Sequence, residues 1–387
     1  MAKALAMTAR LAFALLVGGM LATSACSERG SPGGPFGTLA GSAYDRSNAV
    51  RATAGVRQAC PRDDRIGFAR CGTVIRTDVD ATRPSGYGPA DLQSAYNLPS
   101  STDGAGQTVA VVEAYDDPNA EADLGVYRET FGLPACSASN GCFAKVNQTG
   151  QAGNYPSPNA DWAVETSSDI DMVSAGCPKC NILIVEANSS SFKDLGESLD
   201  EALALGAVVA SNSYSGAPSQ GDEKYYVHHD AIIVAAAGDE GSSQPEAPAA
   251  FPSVVAVGGT TLKVDQHSKR GWTETAFGTG GCTTFPKPAW QHDTFCTTRT
   301  TNDVAAVADP GTGVAVYDSY EQTGWAVIGG TSVSAPLVAS VYGLAGNAGT
   351  LYAAKSLYQH HPHLYDIPPT GYDEPTGWGT PDGIGAF

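Results

Sequence analysis

Asn181-Ile182-Leu183-Ile184-Val185, then Phe192 to Leu205, then Ala207-Val208-Val209-Ala210 is the stretch that settles the architecture. The first run is apolar without alternation, as a strand covered on both faces must be. The middle segment places Phe192, Leu195, Leu199 and Ala202 at helical spacing, and the last run returns to strand. Working outward, Val109-Ala110-Val111-Val112 precedes a helical pattern over 119–131, and Ala231 to Ala236 and Val254 to Val257 repeat the apolar-run theme. Buried strands alternating with helices predict an α/β protein with a parallel central sheet and helices on both faces. In such sheets ligands sit beyond the carboxyl ends of the strands.

The 387 residues carry 40 acidic and 22 basic side chains, a formal net charge of −18. That length allows one large domain or two ordinary ones. With 16% charged and 42% hydrophobic residues, the chain is neither a coiled coil nor a disordered acidic tail. The acidic balance excludes a nucleic-acid partner, which needs a basic surface. Residues 1–25 have a basic start (Lys3, Arg10), an apolar middle and small residues at the end, the pattern of a secretory signal. The apolar part is shorter than the ~20 residues of a membrane span. The rest is therefore expected to be secreted. Cys26 follows directly. It either resembles the lipid-modified cysteine of bacterial lipoproteins, the one route to a membrane, or is a free thiol after ordinary cleavage. The other eight cysteines fall into neighbours, 60/71, 136/142, 177/180 and 282/296, which short loops and export favour as disulfides. Residues 26–84 read as a flexible N-terminal tether or short pro-segment, and residues 85–387 as one domain.

Three motifs carry chemistry. Gly329-Gly330-Thr331-Ser332-Val333-Ser334-Ala335-Pro336 presents a serine at a helix start, although alone it is equally a glycine turn with a helix cap. A serine needs a base. None of His228, His229, His267, His292, His360, His361 and His363 stands in a glycine-rich strand-to-helix context. The other candidate is Glu165 with Asp169, at i and i+4 on one helix face, where like charges share a proton. Solvated charges on an amphipathic helix are the plainer alternative. Third, Asp239 ends the run Ile232 to Ala237 inside Gly238-Asp239-Glu240-Gly241, placed to donate to an oxyanion when protonated. A turn aspartate bonded to its own backbone is its plain counterpart.

In this order, Glu165 with Asp169, the Gly238-to-Gly241 motif and Gly330-Thr331-Ser332 resemble the sedolisin (serine-carboxyl peptidase) family. Phe251-Pro252-Ser253 leading to Val257-Gly258-Gly259-Thr260, and Gly371-Tyr372-Asp373 leading to Gly379, extend the resemblance over roughly residues 85–387. It implies a subtilisin-like three-layer fold and a serine-type endopeptidase acting on proteins or peptides at acid pH. Ser332 would be nucleophile, Glu165 base, Asp169 its orienter and Asp239 the oxyanion group. Ser213, Tyr214 and Ser215 would form the edge strand that binds substrate by strand addition. It also implies a structural calcium with oxygen ligands at Asp366, Ile367, Gly371 and Asp373, and no organic cofactor. Three departures accompany it. Ser168 stands where the family has an apolar residue, and Pro368-Pro369 shortens the calcium loop. Residues 27–84 are too few for the family's large prodomain. A non-catalytic cell-surface binding protein on the same scaffold is the alternative.

Overall fold

The apolar runs form the middle of a mostly parallel sheet. In the computed structural model, residues 55–239, 245–278 and 280–387 are described. The signal segment, Cys26 and the Glu240-Gly241 pair lie outside the described residues. The sheet runs, in spatial order, β11 (Trp272–Phe277), β10 (Val255–Val264), β9 (Ile232–Ala236), β7 (Val209–Asn212), β4 (Thr108–Ala114), β6 (Asn181–Ala187) and β5 (Phe143–Asn147). β14 (Val304–Val307) also pairs with β10. All neighbours are parallel except the β10–β11 edge. Val109, Val111, Ile184, Val209 and Val234 are fully buried, which is why these strands show no polar alternation.

Helices cover the sheet. α3 (Ala160–Gly176) and α5 (Thr331–Ala345) pack against each other and onto β4. α1 (Pro89–Ala95) and α2 (Ala120–Thr130) pack on α3, and α4 (Phe192–Ala204) lies along β6 and β4. Asn159 starts α3 by accepting the N–H groups of Asp161 and Trp162, and Ser191 starts α4 by accepting that of Asp194. The expected α/β, subtilisin-like architecture is present.

Residues 55–84 do not behave as a tether. β1 (Val56–Gln58) and β3 (Val74–Arg76) form a second sheet with β16 (Gly324–Gly329) and β15 (Val314–Asp318), in the order β1-β3-β16-β15. β2 (Arg70–Cys71) pairs antiparallel with β8 (Tyr214–Ser215). Two further antiparallel pairs join β12 (Gly281–Pro286) to β13 (Thr298–Thr301) and β17 (Leu364–Tyr365) to β18 (Thr380–Pro381). No packing boundary falls at Pro84, since the described residues on both sides of it belong to one compact unit. β2 and β3 pair with strands more than a hundred residues away, and strands of two or three residues give no periodic signal of their own. The four nearest-neighbour disulfides, Cys60–Cys71, Cys136–Cys142, Cys177–Cys180 and Cys282–Cys296, are all formed.

Where α2, α3 and β15 meet, Asp117, Asp123, Asp171 and Asp318 are buried near one another. Each accepts a backbone N–H, from Asn119, Ser319, Tyr317 and Tyr320 respectively. Burial, with repulsion between these carboxylates added, raises Asp117 to about 7 and Asp318 to about 8. Asp171 is raised well above the usual carboxylate range, again by burial first. A carboxyl raised by folding stabilises the native state below its unfolded value and loses that contribution as pH climbs through the folded value. A shift of the size at Asp117 corresponds to roughly 4 kcal/mol. The thermal midpoint is therefore expected to fall as pH rises from about 4 to about 8, and Asp318→Asn should flatten part of that fall. A midpoint that climbs over the same window in calorimetry contradicts this account.

Candidate active site

α3 carries the two acids. Every residue from Trp162 to Gly176 is buried, so Glu165 and Asp169 are not solvated charges on an amphipathic face. They sit one turn apart on the side toward α5. Glu165 Oε2 accepts the Thr73 N–H at 2.9 Å, and Asp169 Oδ2 accepts the Ser213 hydroxyl at 2.8 Å. Burial pushes both acids up, and the Glu165 charge raises Asp169 further. The Ser332 hydroxyl and the Thr73 N–H oppose this at Glu165 by favouring its ionised form. The pair therefore holds a proton more readily than free carboxylates do.

β16 ends at Gly329, Gly330 turns the chain with φ +97°, and α5 begins at Thr331. This places Ser332 in the first turn of α5, fully buried, with its Oγ donating to the Ser213 carbonyl at 3.2 Å. Pro336 lies inside the same helix. Having no N–H, it cannot donate to the carbonyl four residues back, which is that of Ser332. The Ser213 hydroxyl reaches that carbonyl at 3.3 Å instead, so Ser213 touches both the acid pair and the serine.

Asp239 follows β9 through Gly238, whose φ is +93°. Its Oδ1 accepts the Thr331 N–H at 2.8 Å, while Thr331 Oγ1 accepts the Gly238 N–H at 3.0 Å. This reciprocal clasp fixes the end of a buried strand against the start of α5. Asp239 is thus bound to the backbone of another element. A serine hydroxyl, two adjacent acids and a third carboxyl come together, an arrangement that can supply nucleophile, base and oxyanion donor for acyl transfer.

Ser213, Tyr214 and Ser215 divide their work. The Ser213 hydroxyl belongs to the acid network, Tyr214 buries its ring and donates to Asn212 Oδ1, and Ser215 donates to Glu246 Oε2. Only their backbone presents an edge, and Arg70-Cys71 occupies it. Sequence reasoning passed over Glu113, which ends β4 fully buried beside Asp169 and is raised by burial and by the charges of Asp169 and Glu165. The criterion used for Asp239, an acid closing an apolar strand, finds it. Gly72 and Thr73 were also missed, because nothing local marks them.

The two carboxylates of the expected calcium set are engaged within their own loop. Asp366 turns both carboxylate oxygens onto the Gly371 N–H, and Asp373 accepts both the N–H and the hydroxyl of Thr376. Among the described residues no group of three or more His, Cys, Asp or Glu is arranged to hold a metal. Subtilase-type peptidases often bind calcium, and no metal site of that kind is seen at this loop.

The sequence profile of the Subtilase family matches residues 148–379. The chain is 28% identical to Kumamolisin of Bacillus sp. (strain MN-32) over 368 residues, covering 78% of this chain and 63% of that protein. It is 24% identical to Sedolisin of Pseudomonas sp. (strain 101), covering 77% of this chain and 60% of that one. It thus spans less than two thirds of the length of both. The solved Pseudomonas sedolisin, complexed with two molecules of pseudo-iodotyrostatin, superposes with a TM-score of 0.65 at 21% identity, covering 78% of this chain and 96% of that one.

Gly330 gives a direct check on the turn. A Cβ there would sit 2.5 Å from the Gly72 carbonyl oxygen and 2.9 Å from Asp239 Oδ2, at a φ that disfavours any side chain. Gly330→Ala is expected to cost about 1–3 kcal/mol, read as a lower urea midpoint with an unchanged slope. An unaltered midpoint means that the turn is not constrained in this way.

Proposed function

The chain belongs to the subtilase family, in its sedolisin group, and on that premise we propose that it is a serine-carboxyl endopeptidase working at acid pH on proteins or peptides. The observation that carries this reading is the buried Glu165 carboxyl beside the Ser332 hydroxyl at the start of α5. A peptide enters along β8 by strand pairing. The Ser332 hydroxyl turns from the Ser213 carbonyl to Glu165, gives up its proton there, and its oxygen adds to the substrate carbonyl. Asp169, held by Ser213, orients Glu165 and shares its proton. Asp239, when protonated, donates to the developing oxyanion. Glu165 then passes the proton to the leaving amine, the C–N bond breaks, and an acyl group remains on Ser332. Water, deprotonated by Glu165, releases it as a carboxylic acid and restores the serine.

A scaffold that only binds has no use for these four side chains in one arrangement, which speaks against the non-catalytic alternative. Peptidases of this group are usually extracellular. No helix among the described residues is long and apolar enough to cross a membrane. Export through residues 1–25, with Cys26 as the attachment point if the protein is lipidated, completes the reading, and the four disulfides suit an oxidising compartment.

Ser332→Ala is expected to lower peptide cleavage on the order of 10⁵-fold, and Glu165→Gln nearly as much, because residues acting as a unit are not additive. Wild-type activity should be bell-shaped. It falls at low pH as Glu165 protonates and falls again at higher pH as Asp239 loses the proton it donates. Asp239→Asn keeps a neutral donor, so its rate should drop about 10²–10³-fold while its alkaline limb flattens. Steady-state kinetics across pH decide the matter: a neutral or alkaline optimum, or an alkaline limb shared by wild type and Asp239→Asn, removes Asp239 from its role.

A further inference from the structure

β8 ends beside an acid that the reaction above does not use. Glu246 lies between β9 and β10, and the chain around it is tied to the end of β8. Gly216 and Ala247 exchange both backbone hydrogen bonds, at 3.1 and 3.0 Å, and the Glu246 carbonyl accepts the Ala250 N–H at 3.0 Å. The side chain is tied to the same strand, because the Ser215 hydroxyl donates to Glu246 Oε2 at 2.8 Å. The carboxylate is thus oriented by the strand expected to bind substrate. Two carboxylate oxygens accept more than one hydrogen bond, so capacity remains for a further donor.

Arg70 shows which kind of side chain reaches it. Arg70 lies opposite Ser215 and Cys71 opposite Tyr214, antiparallel. Gly72 then stands next to the nucleophile, since a Cβ built on it would be 2.8 Å from Ser332 Oγ. Successive side chains on a strand point to opposite faces. Cys71 accordingly turns toward the start of α3, its sulfur 3.7 Å from the Asp161 carbonyl oxygen, and Arg70 turns the other way. Its Nη2 and Nη1 donate to Glu246 Oε2 at 3.0 Å and Oε1 at 3.4 Å, a two-point grip that suits a planar cation. The Arg70 side chain is 10% exposed and that of Glu246 28%, so water screens this pair less than one on an open surface. Any strand aligned on β8 in this register delivers to Glu246 the side chain two residues ahead of the one at Ser332.

We propose that Glu246, oriented by the Ser215 hydroxyl, determines specificity: it selects peptides with arginine or lysine as the third residue on the amino side of the cleaved bond. This names the substrate class of the proposed peptidase and rests on that reading. A peptide that pairs with β8 takes the place of Arg70 and Cys71, presents its carbonyl to Ser332 and lays its basic side chain against Glu246. Arginine is the better fit, because a guanidinium meets both carboxylate oxygens at once, whereas an ammonium acts as a point charge. A neutral side chain at that position leaves the partly buried carboxylate without its cation, and an acidic one is repelled. The net charge of −18 draws cationic peptides to the molecule as a whole. Glu246 makes the choice positional.

The test uses the full chain at acid pH and quenched fluorescent peptides that differ at one place, the third residue before the cleaved bond. That residue is arginine, lysine, glutamine or glutamate, and mass spectrometry of the products fixes where each peptide is cut. Wild type should prefer the arginine peptide to the glutamine peptide by about 10- to 100-fold in kcat/KM, with lysine between them. Moving the arginine one residue in either direction should remove the advantage. Glu246→Gln should bring the arginine-to-glutamine ratio close to one, and Glu246→Lys should make the glutamate peptide a better substrate than the arginine peptide. A residue that merely supports the fold would instead lower all four peptides by a common factor. Wild type that cleaves the arginine and glutamine peptides at equal rates overturns the inference and leaves the peptidase reading standing, whether or not the variants fold. So does a preference that survives in Glu246→Gln. If folded wild type cuts none of the peptides, the peptidase reading itself falls and this inference with it.

Discussion

Two carboxylates buried one helical turn apart are the constraint around which this molecule is built. Taking Glu165 and Asp169 out of water is costly unless each finds donors, and two like charges at that spacing cannot both ionise cheaply. The surrounding elements supply the donors: the Ser213 hydroxyl for Asp169, the Thr73 N–H and the Ser332 hydroxyl for Glu165. Those partners come from β8's approach, the N-terminal segment and α5. Satisfying the acids therefore fixes the relative positions of elements far apart in sequence. The same desolvation keeps a proton in the pair, and a base that releases and regains a proton is what the proposed reaction needs.

The sheet explains how so few residues converge. Parallel strands deliver their carboxyl ends to one side, and three of them contribute there: Glu113 from β4, Ser213 directly after β7, and Asp239 shortly after β9. α5 then crosses beneath with Ser332 in its first turn. Pro336, which would ordinarily weaken a helix, frees the Ser332 carbonyl for the Ser213 hydroxyl. A local breach of helix rules is thus compensated by a bond within the site. The Gly238–Thr331 and Asp239–Thr331 bonds lock strand end to helix start, so Asp239 and Ser332 are held in one piece.

Acidity recurs away from the site. The Asp117, Asp123, Asp171 and Asp318 group is also buried and also raised, by the same desolvation that acts on Glu165. A protein with carboxyls held neutral in its interior is at its most stable where carboxyls are neutral in the unfolded chain too. The net charge of −18 works in the same direction, because lowering the pH relieves self-repulsion. Stability and proposed chemistry thus favour the same side of the pH scale.

By itself the sequence determined the central sheet, its helices and the four short-range disulfides, and it singled out Glu165, Asp169, Asp239 and Ser332 as candidates. Each of these leaves a local trace: an unbroken apolar run, a helical period, a short cysteine spacing, an acid or serine set among glycines. Only the tertiary structure decided that α3 is buried all round, so that its acids are unsolvated. It alone turned Asp366 and Asp373 onto their own loop, and brought Glu113 beside Asp169. Above all it converted residues 55–76 from a tether into strands lying over the serine. Those strands are two or three residues long; β2 pairs at 214–215 and β3 at 328–329, with β1 added to β3. Pairing at such separation is set by packing and hydrogen bonds that exist only once the chain has closed on itself, so no window of sequence contains them.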